Sequence, residues 1–416
     1  MQRDLQRLKE DILRQLYNRL RKIEVDLSEI DRASFRKRIE PIFNSVLKEN
    51  REFLLSPQEQ EEILEEVISE ILGLGPIEKL LKEPEVLEIM VNGPNQVYVE
   101  RGGKLELTGI TFKSTEHLLH FIERILSPLG RRVTEFEPYI DARLKDGSRV
   151  NIVRSPVSSI GPILTIRKFS YKRIGIDDLL LLGVLNESVV EFLRACVISR
   201  LNILISGGTS SGKTTILSTL ASFIPQDERV ITIEDTLELC LPNRHTIPLE
   251  TRPPSIEGKG EITIRDLLKN ALHMRPDRII IGEVRSDEVL DMLQAMNVGH
   301  QGSMTTLHAN SPLEALDRLE LLALMGSLNI SSEVARRQVI SAIDLIIHTV
   351  RHPDGSRRIS QISEVLKTKG LLLQDIFILK GETSGKLVLE FTGKIPSFYP
   401  KLKEGANFSC EEFEKS

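Results

Sequence analysis

The chain contains no Trp, and aromatic residues make up only 5% of it. Proteins that work on single-stranded nucleic acid use aromatic side chains as stacking platforms, so the shortage speaks against that task. The three cysteines, Cys196, Cys240 and Cys410, are odd in number and far apart. That excludes a disulfide framework and a paired CxxC zinc site, and fits thiols in a reducing compartment. An excess of one charge is missing too: 55 Lys+Arg against 60 Asp+Glu leave a formal charge of -5. No global basic field draws such a chain onto nucleic acid, although a local basic site stays open. No uncharged apolar run approaches the roughly 18 to 20 residues of a spanning helix, and the charged opening MQRDLQRLKEDILRQLYNRLRK lacks a signal-peptide core. What is present is an ordinary globular composition, 40% hydrophobic and 28% charged over 416 residues. That length suits two or three domains.

The patterning divides the chain into four parts. In residues 1–72, Leu5, Leu8, Ile12, Leu16, Leu20 and Ile23 recur at steps of three and four, and a second helical run over 57–72 ends at Gly73-Leu74-Gly75-Pro76. Residues 73–170 alternate short β-type runs (86–91, 97–100, 105–111, 139–144, 149–153 and 163–169) with a helix over 115–129, capped by Ser114 or Thr115. This predicts a small, separate α/β domain, with 170–175 as a linker. Residues 176–398 contain short apolar runs at 201–205, 230–233 and 278–281, separated by helical patterns. Strands covered on both faces read this way, so a mainly parallel sheet is expected. Residues 399–416 read as a polar tail.

The strongest chemical signal follows the first of those apolar runs. Residues 207–214 fit G-x-x-x-x-G-K-[ST] between a strand and a helix. Gly207, Gly208, Thr209, Ser210, Ser211 and Gly212 would turn backbone N–H groups inward around phosphate oxygens. Lys213 would sit on the β- and γ-phosphates, Thr214 would supply a hydroxyl to Mg²⁺, and Thr215 would complete the site at the helix start. A second acid is expected at the end of a later strand. Ile279-Ile280-Ile281-Gly282-Glu283 provides one, with Gly282 where an Asp usually stands, and Glu234 and Asp235 end another strand. In an open parallel sheet these ends lie beside the phosphate loop. Spacing leaves open which of Glu234 and Glu283 would act as general base. It also leaves His308, in the run 299–308, open between a sensor and a structural role, while Ser303, Thr305 and Thr306 suit a phosphate-facing strand.

The runs GGTSSGKTT, TIEDTLEL, RPDRIIIGEVRSDEVLDMLQAMNVGHQGSMTTLHANSP, DARLKDGSRVN, TIRKF and DLIIHTVRHPDGSRRISQISEV together resemble the secretion ATPase superfamily of type II and type IV secretion, most closely the CpaF/TadA-like motors of Flp/Tad pilus assembly. The resemblance implies a PAS-like first domain and a RecA-like P-loop ATPase domain. It places the Walker A box on 207–214, the Asp box on Glu234 and Asp235, and an atypical Walker B box on Gly282 and Glu283. Its His box falls on 299–308, with His308 as γ-phosphate sensor and His300 structural. It implies that Arg149 and Arg167, with Arg143 as a weaker candidate, reach the nucleotide, and that Mg²⁺ is held by Thr214 and Glu283. A homo-hexamer at the cytoplasmic face of an inner-membrane platform follows from the same resemblance, with peripheral membrane association through partners and no nucleic acid. The four-cysteine zinc module of type II members is missing. The expected function is an ATP-hydrolysing motor for pilus assembly or protein secretion. The rivals are a nucleotide-dependent scaffold or switch and, against the acidic balance, a nucleic-acid translocase.

Overall fold

The computed structural model describes residues 15, 32–49, 56–71, 75–102, 104–144, 146–168, 174–254, 259–326, 330–368, 370, 372–381 and 387–409. The chain divides into two compact units, Met1–Ser170 and Tyr171–Ser416. The stripe from Leu5 to Ile23, most of the 170–175 segment and Cys410 lie outside the described residues.

In the first unit, helices Arg32–Glu49 and Pro57–Ile71 pair because their apolar residues recur every three or four positions. Phe35, Ile39, Phe43 and Val46 are buried against Ile63, Leu64, Val67 and Ile68. Six strands follow: β1 (Val86–Asn92), β2 (Val97–Arg101), β3 (Lys104–Leu107), β4 (Tyr139–Arg143), β5 (Arg149–Val153) and β6 (Ile163–Arg167). They form one antiparallel sheet in the order β3-β2-β1-β6-β5-β4. Strand alternation sends Ile89, Val91, Val150, Ile152, Leu164 and Ile166 into a core with Phe121, Ile122 and Ile125 of the helix Thr115–Leu126. Ser114 caps that helix by accepting from His117 N at 3.2 Å.

The second unit is built on nine strands: β7 (Ile203–Gly207), β8 (Val230–Glu234), β9 (Thr246–Glu250), β10 (Arg278–Ile281), β11 (Met304–His308), β12 (Leu345–Arg351), β13 (Arg357–Leu366), β14 (Leu372–Gly381) and β15 (Leu387–Phe391). Their order is β15-β14-β13-β12-β7-β11-β10-β8-β9. The stretch from β12 to β9 is parallel, and β13 to β15 extend it as an antiparallel wing. Ile203 and Ile205 enter one core and Leu204 the other, so the central strands are covered on both faces. The α/β class with a mainly parallel sheet is therefore observed, with a wing that the apolar runs alone did not reveal.

Two local expectations need correction. β7 starts at Ile203, not at 201, because Arg200 takes a left-handed φ of 59° and Asn202 is occupied elsewhere. The Asn202 side chain donates to Ala342 O at 2.7 Å and accepts from Gly302 N at 2.9 Å and Ser303 N at 3.1 Å, tying three loops together. The second correction concerns the polar tail, whose described part is an integral piece of the second unit. Helix Tyr399–Ala406 directs its lysines outward, while Phe398, Leu402 and Phe408 enter the core, with the Phe398 and Phe408 rings 6.5 and 6.0 Å from that of Phe192. Composition misleads here because a helix needs only one apolar stripe to dock.

At the opposite strand ends from the phosphate loop, the fully buried Arg278 pairs with Glu228 (Nε to Oε2, 2.5 Å) and donates to Val197 O at 2.9 Å. Gly302, with φ of 82°, leaves room for it: a Cβ there would stand 1.9 Å from Arg278 Nη1. Gly302→Ala should disrupt this buried pair at a cost of about 3 kcal/mol or more, lowering the thermal unfolding midpoint of the full chain by on the order of 10 °C. A melting curve within a degree or two of wild type would refute the assignment.

Candidate functional site

The phosphate loop connects β7 to the helix Lys213–Ala221. Gly207 must be glycine: at φ 154° its Cβ would stand 2.3 Å from Thr349 O. Ser210 and Gly212 both adopt left-handed backbone (φ 57° and 97°), and such alternation along a loop turns amides inward to form an anion nest. Lys213 Nζ donates to Gly207 O at 3.1 Å and Gly208 O at 2.8 Å, so the ammonium caps its own loop. Burial lowers its pKa from the usual lysine value.

The acids stand at the carboxyl ends of neighbouring parallel strands, as sheet topology demands. Glu234 ends β8 and is almost fully buried. Its Oε2 accepts from Glu238 N at 2.8 Å and Leu239 N at 2.9 Å, whereas its Oε1 has no hydrogen-bond partner. Burial, reinforced by the Glu238 and Glu250 carboxylates against the pull of those two amides, raises its pKa to about 7. Gly282 lies directly beside it, because a Cβ at that position would come within 3.0 Å of Glu234 Cγ. A side chain at 282 would press on Glu234, which must give by a few tenths of an ångström to accommodate it.

Glu283, two residues beyond β10, enters a chain of polar contacts. Its Oε1 lies 2.8 Å from His308 Nε2 and its Oε2 lies 2.5 Å from Arg285 Nη2, while Arg285 Nη1 lies 3.3 Å from Asp235 Oδ2. At the other end, His308 Nδ1 is 3.2 Å from Lys213 Nζ. Burial, with help from Lys213, Arg285 and Arg318 and opposed by Glu283, lowers the His308 pKa, so the ring is neutral near pH 7. An ammonium only donates, so in the neutral ring Nδ1 accepts and Nε2 carries the proton; Nε2 stands at ion-pair distance from Glu283 Oε1, which accepts no hydrogen bond. Lys213, His308, Glu283, Arg285 and Asp235 thus connect all four sequence boxes. His300 is not among them: it precedes β11, at the end opposite His308.

A strand-borne phosphate loop, two acids on adjacent strand ends and a histidine reaching the loop lysine form a nucleoside-triphosphate constellation. Residues 70–371 match the Type II/IV secretion system protein family. The chain belongs to that family. Conjugal transfer protein TrbB of Rhizobium radiobacter is 33% identical over 295 residues, covering 70% of this chain and 86% of that protein. Type IV secretion system protein VirB11 of Brucella suis is 30% identical over 318 residues, covering 70% and 88%. The solved structure of the pilus retraction motor PilT with bound ADP has the same fold at a TM-score of 0.51 and 20% identity, covering 79% of this chain and 84% of that one.

The arginines that the family resemblance singles out belong to the first unit. Strand register sets Arg143 opposite Arg149 and Arg149 opposite Arg167, so three guanidinium-bearing residues share one row and one face across β4, β5 and β6. Glu88 of β1 continues the row. Like charges directly opposite one another oppose sheet pairing by some tenths of a kcal/mol.

Sequence reading passed over four residues of this secretion-family site. Arg285 is local to the Walker B run, and its pairing with Glu283 and Asp235 gives it a visible role. Ser206 Oγ lies 2.9 Å from the buried His348 Nδ1, Thr349 Oγ1 lies 2.7 Å from Ser211 Oγ, and Arg357 Nε donates to Ser210 O at 3.0 Å. His348, Thr349 and Arg357 stand more than 130 positions beyond the loop, and only the β12·β7 pairing, which aligns Thr349 with Gly207, brings them there. No local pattern carries that information.

The donors suit a hard divalent cation. Thr214, half-buried at the helix start, makes no side-chain hydrogen bond among the described residues, and the buried Glu283 Oε1 and Glu234 Oε1 accept none. Hydroxyl and carboxylate oxygens beside a triphosphate cradle match what Mg²⁺ accepts.

Proposed function

We propose that this chain is an ATP-hydrolysing motor that powers pilus assembly or protein secretion through an inner-membrane platform. It would work as a homo-hexamer at the cytoplasmic face, in the manner of the CpaF/TadA-like branch. The observation that carries the reading is the contact chain from Lys213 through His308 to Glu283, which couples the phosphate loop to the acids that would act on water. In this reading residues 207–215 cradle the phosphates, and Thr214 and Glu283 hold Mg²⁺. When bound, that ion neutralises charge on the β- and γ-oxygens. Lys213 leaves the Gly207 and Gly208 carbonyls for the γ-phosphate, and His308 reports its presence to Glu283. Arg149 and Arg167, and less directly Arg143, neutralise the γ-oxygens with their fixed donor forks. The domain scheme follows: 1–72 as a partner-facing helical region, 73–170 as arginine donor, and 176–398, extended by helix Tyr399–Ala406, as the ATPase.

No helix among the described residues is long and apolar enough to cross a membrane; in this reading the platform is the spanning partner. The deciding experiment is steady-state phosphate release by the full chain with MgATP. A motor releases many phosphates per chain. Release that stops at about one per chain would replace the motor with a nucleotide-dependent switch, and hydrolysis stimulated by DNA would point to a translocase. A pull-down from membranes should recover a polytopic protein.

A further inference from the structure

The connection between β12 and β13 belongs to the antiparallel wing, yet it reaches the phosphate loop. It is a tight turn: His352 N donates to Ser356 O at 2.8 Å, Gly355 N donates to His352 O at 2.9 Å with φ 87°, and Ser356 N donates to Asp354 Oδ1 at 2.8 Å. Arg357 is the first residue after that turn, paired with Arg351 across the hairpin, so its Cα is firmly placed. From there its side chain runs along the loop, with Cδ 3.5 Å from where a Cβ of Gly212 would stand, and Nε donates to Ser210 O.

That single hydrogen bond has a geometric consequence. A trans peptide holds its C=O and N–H on opposite sides, so drawing the Ser210 carbonyl outward turns the Ser211 N–H to the inner side of the loop. Ser211 N donates to Gly208 O at 3.4 Å, which closes a turn within the loop. Ser210 also bears a side chain in left-handed backbone, a conformation that persists only where its surroundings enforce it. Arg357 on the outside, with Thr349 touching Ser211 from β12, supplies that enforcement. We propose that Arg357 is a positioning residue for nucleotide binding: it holds the left-handed turn at Ser210, and with it the shape of the phosphate loop, before any phosphate arrives. The proposal rests on the nucleotide-binding reading of that loop.

The test measures affinity of the full chain for a fluorescent ADP analogue, together with KM and kcat for ATP. Losing a hydrogen bond from a charged donor should weaken ADP binding about five- to tenfold in Arg357→Ala and raise KM similarly, with kcat within about twofold of wild type. In Arg357→Gln the side-chain amide nitrogen takes the place of Nε, so it can still donate to Ser210 O, and most of the affinity should return. Unchanged ADP affinity in Arg357→Ala overturns the proposal, and so does an Arg357→Gln variant as weak as Arg357→Ala, which would assign the effect to charge. A wild-type chain that binds ADP without hydrolysing ATP would defeat the motor reading while leaving this comparison intact.

Discussion

Glu283→Gln is expected to lower the steady-state rate of ATP hydrolysis by about 10² to 10⁴, the usual contribution of a positioned proton acceptor, with little loss of nucleotide affinity. The substitution keeps the size of the side chain and the donor partners around it but removes the charge facing His308 Nε2 and Arg285. Its companion is Glu234→Gln, which addresses the other candidate base. The Glu234 carboxyl is neutral below about pH 7 and charged above it. If it accepts the proton from water, the rate rises as pH increases through 7, and Glu234→Gln abolishes that limb.

The stability sign runs the other way. The folded-state pKa is raised above the ordinary 4.5, so the cost of burying the charge is absent below that pH, grows through the interval, and is complete above about 7. Glu234→Gln, whose carbonyl can accept from Glu238 N and Leu239 N, should therefore melt higher than wild type at pH 8 and alike at pH 4.5. Rate loss in Glu283→Gln with a retained pH limb assigns the base to Glu283. The opposite pattern assigns it to Glu234, and full activity in both would refute the site.

Arg149→Ala and Arg167→Ala carry the second large effect. An arginine that meets the γ-phosphate only as charge develops is worth about 10³ to 10⁵ in rate, so each substitution should cost kcat at least about 10³ while ADP affinity changes little. The row they form with Arg143 makes a further expectation: Arg149 stands between two like charges whereas Arg167 also faces Glu88, so Arg149→Ala should melt no lower than Arg167→Ala. Loss of rate without loss of stability separates a catalytic row from an ordinary surface strand. Normal turnover in both variants would confine the chemistry to the second unit.

The legible parts of the molecule share one property, which is that their determinants are close in sequence. Residues 207–214 announce a phosphate loop because glycine spacing, a lysine and a preceding apolar run all fall within a dozen positions. The strand 278–281 and the acids after it were readable for the same reason. The helix Tyr399–Ala406 was misread because residue composition ignores which face of a helix the apolar residues occupy. His348, Thr349 and Arg357 were invisible as site residues because β12 joins β7 across a sequence gap that no periodicity spans.

By itself the sequence determined the class of chemistry: a phosphate loop signature, acids at strand ends, and no apolar run fit for a membrane helix. Those follow from backbone preferences and side-chain chemistry that act locally. Only the tertiary structure decided that Gly282 stands against Glu234, that burial raises the Glu234 pKa to about 7, that His308 lies between Lys213 and Glu283, and that three arginines share one row. Desolvation, tautomer choice and cross-strand register depend on which distant residues the fold brings together, and folding alone creates those neighbours.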